Sequence, residues 1–365
     1  MNRHRASSWL AGLLLMSAAG FWLYREVRPH QPSPLQTEAF VKQYMTNTNG
    51  TLATYLQSGK ASDPEIAAGR EALSESLGFW MQHTLIQQDR GSFRQSFAIL
   101  KEYFVTPQHY VAWKLEPDGT SGMHTNALGD DLRIIGALLE AGRLWEEPDV
   151  AGMAELLTKT LISSAQVNGY LTDFHDFANR TSAQTLSLAY IDSDALMQMR
   201  DARLIDEPFF GRMMQVLANM PDDGSFYPKS FNVMTGQYKY EHSVNLIDQL
   251  LVGIHAAESG RRPEPLLSFL KKEWERGHKL YGQYDRTSRS KSVDYESPSV
   301  YGLAVQLALQ NGDTAWAKEL YRHLLTLRDG DSQYPGGYVF SNNTHIFDNL
   351  LPLIAGECVQ NISQK

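Results

Sequence analysis

The sequence predicts a mostly helical fold, and three observations support this class. Apolar residues recur at three- and four-residue spacing over most of the chain after residue 36. Candidate strands are few and short, with residues 110–113 and 337–340 as the clearest. The predicted helices come in adjacent pairs with irregular segments between them. This periodicity fits both a closed ring of helix hairpins and an open helical solenoid.

Residues 1–25 are predicted to target the chain to a membrane. Two arginines precede the charge-free apolar run 9–24, which approaches the ~20 residues that span a bilayer. A cleaved signal peptide and a retained signal anchor both fit, and the aromatic residues Trp22 and Tyr24 favour the anchor. Both place the body outside the cytoplasmic membrane. The run contains no cysteine, which excludes lipoprotein anchoring.

The proline-containing stretch 26–36 is predicted to be a linker, and 37–365 to be the main domain. Each predicted helix in this domain carries an apolar face. In chain order the predicted helices are 37–45, 64–87, 92–104, 126–145, 150–161, 191–199, 209–217, 243–257, 264–280, 299–309, 314–327 and 345–355. Long irregular segments at 105–123, 168–190, 222–240 and 281–297 carry many aromatic and charged residues. A functional site is expected there.

Composition excludes several classes of function. The net charge of −8 argues against a nucleic-acid partner and against an anionic polymer as substrate. Cys358 is the one cysteine, which excludes an intramolecular disulfide and a cysteine-based zinc site. The histidines lack metal-binding spacing, and neither a nucleophile elbow nor a phosphate-binding glycine loop occurs. No metal or organic cofactor is predicted.

Two pairs of residues at predicted helix starts could carry acid–base chemistry. Ser74 is a candidate N-cap, and Glu75 follows it in the first turn. Asp130 and Asp131 open a second helix with an apolar body. The alternative for each pair is structural, because acidic residues in a first turn often only complement the helix dipole.

The two segments together resemble glycoside hydrolase family 8. Ser74-Glu75 followed by Gly78-Phe79 is similar to the Ser-Glu-Gly-x-Gly-Tyr-Gly start of the family's first barrel helix, whose glutamate is the general acid. The second segment resembles the family signature Ala, Ser/Thr, Asp, Ala/Gly, Asp, which leads into a helix ending Ala-x-x-x-Trp. The positions in register are Ala127, Asp131, Ile134, Ala137, Leu138, Leu139, Ala141 and Trp145.

Two further segments extend the resemblance to roughly residues 60–356. Residues 187–192 resemble the family's Pro-Ser-Tyr stretch, and 238–243 resemble the Tyr-Asp-Ala-Ser/Cys-Arg segment that supplies the catalytic base. The resemblance implies an (α/α)6 barrel of helix hairpins, with long loops forming a cleft at one end. It also implies an inverting glycosidase in which one carboxylic acid protonates the leaving oxygen and a carboxylate activates water.

The sequence departs from the family at the second and third catalytic positions. Gly129 replaces the signature's first aspartate, and Asp130 follows it. Glu241 stands at the base position, and Val244 replaces the family's arginine. Asp248 lies seven residues after Glu241, on roughly the same helix face. The resemblance therefore implies Glu75 as the acid, Asp130 or Asp131 as its neighbour, and Glu241 or Asp248 as the base.

Sugar binding requires exposed aromatic faces, and each candidate has packing in the core as its alternative. The candidate substrate-binding residues are Phe79, Trp80, Trp113, Tyr190, Asp192, Tyr240, Tyr284 and Tyr295.

Three functions are compatible with these features. The first is a monomeric glycosidase that cleaves an exopolysaccharide or another β-linked glycan beside the membrane. The second is a catalytically impaired glycan-binding protein that assists polysaccharide export. The third is a helical scaffold that binds proteins.

Overall fold

The computed structural model describes residues 34–61, 63, 65–328 and 331–363, and this part of the chain is mostly helical. The helices are α1 (Pro34–Tyr44), α2 (Ser74–Ile86), α3 (Arg90–Ile99), α4 (Leu128–Leu144), α5 (Pro148–Ser164), α6 (Ser193–Asp201), α7 (Glu207–Ala218), α8 (Leu246–Glu258), α9 (Glu264–Gly277), α10 (Pro298–Gln310), α11 (Thr314–Thr326) and α12 (Phe347–Ser363). The predicted helical class is confirmed.

The predicted N-terminal membrane segment at 1–25 and most of the 26–36 linker lie outside the described residues. Within the described part of the chain, no helix has the length and apolar character that a bilayer crossing requires. From Pro34 onward the chain forms one compact unit.

The even-numbered helices pack on one another in a closed order. Helix α2 contacts α4, and the order continues through α6, α8, α10 and α12, which contacts α2 again. The odd-numbered helices α1, α3, α5, α7 and α11 pack against α12, α2, α4, α6 and α10, respectively. This arrangement buries the inner helices on several faces, and it favours the closed ring over the open solenoid.

Short antiparallel strands organise the long loops. The strands are β1 (Ala72–Leu73), β2 (Lys114–Leu115), β3 (Gln166–Val167), β4 (Tyr170–Leu171), β5 (His175–Asp176), β6 (Thr181–Ser182), β7 (Thr185–Ser187), β8 (Ser230–Asn232), β9 (Gln237–Lys239), β10 (Ser243–Asn245) and β11 (Gln283–Asp285). They pair as β1–β2, β3–β4, β5–β6, β7–β8–β9 and β10–β11. The predicted strands at 110–113 and 337–340 are wrong, because the first region forms only an isolated bridge at Val111 before strand pairing starts at Lys114, and the second forms only an isolated bridge at Phe340.

The predicted start of the second helix, at residue 64, is also wrong. Ile66 is 51% exposed, and the chain stays irregular until Ala72 and Leu73 pair with β2. Leu73 is the N-cap in an extended conformation, so Ser74 is the first helical residue rather than the cap. In the next helix Asp89 is the cap, because its side chain accepts the backbone N–H of Ser92.

A buried histidine connects α2 to α1 and α12. Nδ1 of His83 lies 2.6 Å from Oε1 of Glu357, and Nε2 lies 3.8 Å from Oε1 of Glu38. Burial by itself lowers the pKa of His83, but the hydrogen bonds and charges of both carboxylates outweigh it and raise that pKa to about 9. The contact with His83 in turn lowers the pKa of Glu38 to about 2. An imidazolium ion therefore stabilises the closure of the helix ring.

Replacing this histidine should destabilise the fold in a pH-dependent way. His83→Gln is expected to lower the free energy of unfolding by about 3 kcal/mol near neutral pH, because Glu357 remains buried without its counter-charge. The folded-state pKa of His83, about 9, lies above its ordinary value of 6.5. The stabilisation is therefore complete below about pH 6.5 and is lost as the pH rises through about 9. Urea unfolding of the wild type and the variant across this range measures it.

The matched control is His124→Gln at an exposed histidine, which should leave the wild-type pH dependence intact. A difference in the free energy of unfolding between the wild type and His83→Gln that stays constant across the pH range would contradict the imidazolium assignment.

Candidate active site

Three carboxylates meet at the N-terminal ends of inner helices. Glu75, Asp130 and Asp248 occupy the first turns of α2, α4 and α8. The charges of Asp130 and Asp248 both act on Glu75, which places the three groups in one cluster. The pattern of acidic first turns therefore reflects convergence on a site, and the interpretation as solvated helix starts is wrong for buried Asp130 and Asp131.

Glu75 has a strongly raised pKa in this cluster. Burial of its carboxyl group, together with the charges of Asp130 and Asp248, raises the pKa of Glu75 to about 8, while the charge of Arg133 opposes the shift. At neutral pH the group is therefore mostly protonated and can donate a proton.

Asp130 accepts two hydrogen bonds from the start of α2 and pairs with an arginine of its own helix. Ser74 Oγ donates to its Oδ2 at 2.5 Å, the backbone N–H of Glu75 donates to its carboxylate, and Arg133 Nη1 lies 3.7 Å from its Oδ1. Burial raises the pKa of Asp130, while Arg133, Ser74 and the Glu75 N–H oppose this shift. Asp130 is therefore the carboxylate that the structure brings directly beside Glu75.

Asp131 faces a different environment. Its Oδ2 accepts a hydrogen bond from Asn126 Nδ2 at 2.5 Å, and it lines a small pocket with Tyr110 and Phe177. The structure does not bring it to Glu75, although it is the residue that falls in register with the family signature. The catalytic role of Asp131 stays a prediction, and its side chain points away from that of Asp130 because adjacent residues on a helix point in different directions.

Asp248 and Glu241 differ in their relation to Glu75. Asp248 Oδ2 lies 3.8 Å from Lys229 Nζ; burial raises the pKa of Asp248 and Lys229 opposes this. Glu241 Oε1 lies 3.5 Å from Arg286 Nη2, and burial raises its pKa against the charges of Arg286 and Lys229. Asp248 is the member of this pair whose charge acts on Glu75.

Arg286 brings a guanidinium group to Glu241. It donates to the Glu241 carbonyl from Nε at 2.6 Å and to the Tyr227 carbonyl from Nη2 at 2.9 Å. Asp223 pairs with it at 2.6 Å. Val244, which stands in place of the family's arginine, is fully buried in β10.

Tyr190 occupies the space beside Gly129. A Cβ atom at position 129 would lie 2.8 Å from Cδ1 of Tyr190, so an aspartate there would require the ring to move. Burial and the nearby charges of Glu75, Asp130, Asp173 and Asp248 raise the pKa of Tyr190. Its hydroxyl group therefore keeps its proton and remains a hydrogen-bond donor within the carboxylate cluster.

Aromatic residues line a pocket that adjoins this cluster at Tyr190. Trp113 and Tyr190 line an open pocket of about 370 Å³ together with Glu65, Asp173 and Phe174. Phe174 is 44% exposed and Asp173 accepts the backbone N–H of Ser187 at 2.6 Å. Sequence reasoning assigned neither of the two a role at the site, although both lie in the irregular segment 168–190 where a site was expected.

Of the other aromatic residues predicted to bind sugar, two are exposed and three are buried. Tyr240 and Tyr295 are 47% and 54% exposed. The remaining three predictions are wrong, because these side chains are buried between helices or under loops. Phe79 lies between Arg133 and Phe347, Trp80 packs on His83, and Tyr284 packs on Phe269.

Asp192 lies away from the carboxylate cluster and caps α6, where it accepts the Ala195 N–H at 2.9 Å. With His255 and Glu258 it forms the one group of the described residues that has metal-ligand spacing, with atoms within 4.8 Å of one another. Its members also bond within the protein: Glu258 Oε2 lies 3.1 Å from His255 Nδ1 and accepts from Ser193 Oγ at 2.9 Å. The substrate-binding role of Asp192 stays a prediction.

The chain is similar to "Putative lipoprotein YdaJ" of Bacillus subtilis (strain 168). The two are 35% identical over 327 residues, which cover 88% of this chain and 86% of that protein. The chain belongs to the YdaJ family. No family model matches it.

Solved structures share the fold. An α-amylase from Clostridium perfringens is 23% identical, with a TM-score of 0.80 over 89% of this chain and 96% of that one. PssZ from Listeria monocytogenes is 24% identical, with a TM-score of 0.72 over 90% and 97%. Endoglucanase Cel10 from Klebsiella pneumoniae, a family 8 glycosyl hydrolase, is 13% identical, with a TM-score of 0.60 over 89% and 99%. The resemblance to glycoside hydrolase family 8 is confirmed at the level of the fold.

Glu75 should cost the protein stability at high pH. Its folded-state pKa of about 8 lies above the ordinary 4.5, so the folded state loses stability relative to the unfolded state as the pH rises from about 4.5 to about 8. Glu75→Gln removes this penalty. The free energy of unfolding of the variant should exceed that of the wild type by about 2 kcal/mol near pH 8.

Chemical denaturation at several pH values tests this, with Glu116→Gln at an exposed acid as the control. If the wild-type and Glu75→Gln stabilities differ by the same amount at low and high pH, the assignment of the raised pKa to Glu75 fails.

Proposed function

We propose that this chain is an inverting glycoside hydrolase with an (α/α)6 barrel that cleaves a polysaccharide outside the cytoplasmic membrane. The observation that carries this proposal is the convergence of protonated Glu75 with Asp130 and Asp248 at the N-terminal ends of three inner helices. The closed packing order of the helices and the family 8 fold support the barrel.

Glu75 is the general acid in this mechanism. Its carboxyl proton passes to the glycosidic oxygen as the bond between that oxygen and the anomeric carbon breaks. The raised pKa of about 8 suits this role, because the carboxyl group still holds its proton at neutral pH and can donate it to the leaving oxygen.

Asp248 is the general base. It takes a proton from a water molecule while that water attacks the anomeric carbon from the face opposite the leaving oxygen, which inverts the configuration. Asp248 is favoured over Glu241 because its charge reaches Glu75 directly, whereas Glu241 lies beside Arg286. Lys229 beside Asp248 favours the ionised form that a base requires.

Asp130 and Tyr190 bind the sugar at the point of cleavage. Carboxylate and phenol groups beside the acid can accept from and donate to sugar hydroxyl groups. Trp113 and Phe174 line the pocket next to Tyr190, and aromatic faces suit the apolar faces of pyranose rings. Exposed Tyr240 and Tyr295 provide further surfaces of this kind.

The substrate we propose is an uncharged polysaccharide, with an exopolysaccharide as the first candidate. The acidic cleft and the net charge of −8 disfavour polyanions. Similar folds belong to an α-amylase and to endoglucanases, so both α- and β-linked glucans belong in the substrate screen beside the β-linked glycans that the sequence suggests.

The location we propose is the outer side of the cytoplasmic membrane. The relative is named a lipoprotein, but the apolar run 9–24 of this chain contains no cysteine to carry a lipid. Attachment through that apolar segment as a signal anchor accounts for both observations.

A glycan-binding protein without catalysis is the second candidate. Gly129 favours it, because the carboxylate of the family signature is absent and Tyr190 fills its space. This candidate predicts that the chain binds the glycan without cleaving it and that Glu75→Gln leaves the binding unchanged.

Both carboxylates should be essential for hydrolysis. Glu75→Gln and Asp248→Asn are each expected to lower kcat roughly 10³-fold, the size of a general acid or base contribution. The full chain in detergent is tested against soluble α-glucan, β-1,4-glucan, xylan and exopolysaccharide, with reducing ends as the readout and product anomers followed by NMR. Asp149→Asn, a surface acid paired with Arg94, is the control. Full activity of Glu75→Gln would rule out the mechanism.

The pH profile of kcat/KM should be bell-shaped. Activity should fall above about pH 8 as Glu75 loses its proton, and at low pH as Asp248 gains one, at a pH above the ordinary range of an aspartate because burial raises its pKa. Initial rates at low substrate concentration measure both limbs. An alkaline limb that persists in the residual activity of Glu75→Gln would contradict the assignment of that limb.

A further inference from the structure

Arg133 lies one helical turn after Asp130 in α4, next to the Glu75–Asp130 carboxyl pair. Neighbouring groups fix its side chain on several sides. Its side chain is buried, and its Cζ lies 4.0 Å from the ring centroid of Phe79. A Cβ atom at Gly78 would lie 3.1 Å from Cδ of Arg133, so the glycine leaves room for the arginine to cross between α2 and α4. The guanidinium group therefore occupies a defined position.

The charge of Arg133 is directed at Asp130. Nη1 lies 3.7 Å from Oδ1 of Asp130 and makes no hydrogen bond within the described residues. A buried guanidinium group requires a nearby negative charge, because its desolvation is otherwise uncompensated. Asp130 is the carboxylate with which it forms an ion pair.

The ionised forms of the two carboxyl groups are stabilised to different extents by their neighbours. Asp130 has the Ser74 hydroxyl, the Glu75 backbone N–H and Arg133 beside it, and all three favour its ionised form. The Glu75 carboxyl group feels burial and the charges of Asp130 and Asp248, which favour its protonated form and which the charge of Arg133 offsets only in part. Two buried carboxyl groups this close hold their protons as a pair, so the neighbours decide which of them stays ionised.

Other polar groups from neighbouring elements also face this part of the site. Tyr190 from the 3₁₀ turn at Leu188–Tyr190 and Asp173 from the adjoining loop contribute a neutral hydroxyl and a carboxyl group. From α8, the charge of Asp248 acts on Glu75, and His255 faces Arg133. Arg133 is the cation that acts on Glu75 and Asp130 alike, yet it makes its ion pair with Asp130.

We propose that Arg133 is a positioning residue that keeps the negative charge of the Glu75–Asp130 pair on Asp130 and thereby leaves the transferable proton on Glu75. As a mechanism of catalysis this rests on the proposed hydrolase function. The placement of the proton is a property of the folded chain, and it can be measured whether or not a substrate is known.

Carboxyl ¹³C chemical shifts measure this placement. The full chain in detergent is labelled at the Asp and Glu side-chain carboxyl carbons, and the two signals are assigned with Glu75→Gln and Asp130→Asn. In the wild type near pH 7, Glu75 should be protonated and Asp130 ionised. In Arg133→Gln, Asp130 should remain partly protonated to a pH higher by about one unit. Arg133→Lys keeps the charge and should restore most of the wild-type pattern.

Gln82→Met is the matched control, because Gln82 lines the same interior pocket as Arg133 from α2. It should leave both carboxyl titrations unchanged. A titration of Asp130 in Arg133→Gln that matches the wild type would overturn the proposal. If Arg133→Gln does not fold, the wild type alone decides, because an ionised Glu75 beside a protonated Asp130 would also overturn it.

The two proposals fail in different ways. Absence of hydrolysis on every glycan would reject the proposed function while leaving the carboxyl titrations to be judged separately. Where activity is found, the alkaline limb of the kcat/KM profile, which the Glu75–Asp130 pair sets, should move to higher pH by about one unit in Arg133→Gln, and Arg133→Lys should reverse that shift. A uniform loss of rate with an unmoved profile would mark a structural role only and overturn the proposal.

Discussion

The hydrogen bond between Ser74 and Asp130 joins the first turns of two inner helices, and the geometry of the site depends on it. Ser74 is fully buried and takes its place from the β1–β2 pairing just before it, where its backbone N–H donates to the Trp113 carbonyl. The same short segment thus sets the start of α2, the position of Glu75 and the orientation of Asp130. A helix that started a turn earlier would present a different residue to the cleft.

Burying several carboxyl groups at the site lowers the stability of the fold, and favourable interactions elsewhere in the helix ring offset this. Carboxyl groups gathered at one end of the inner helices are buried, repel one another and hold protons that water would remove. The helix N-termini lower this cost, because their dipoles favour negative charge. At the α1–α2–α12 junction the opposite arrangement occurs, with a buried imidazolium between two carboxylates. The fold therefore combines repelling carboxyl groups at the cleft with paired charges at this junction and a continuous apolar core.

Much of the fold could be predicted from the sequence, because inner and outer helices carry clear apolar periodicity. Periodicity could not locate the start of α2, since strand pairing with residues distant in sequence ends the irregular segment. The site was predictable as far as Glu75, Asp130 and Asp248 as candidates. The choice between Asp130 and Asp131 was not, because register with a family signature does not say which way each side chain points. Aromatic residues such as Phe79 and Tyr284 were misassigned, since packing between layers decides whether a ring is exposed.

Gly129 and Tyr190 have a consequence for how such sites diverge. The absent side chain at one position and the ring at the other occupy the same volume, so neither can change alone without a clash or a void. An aspartate at position 129 would require a change at position 190, or a movement of the 3₁₀ turn that carries Tyr190. The two positions are therefore sterically coupled, and the residue at one limits what the other can hold.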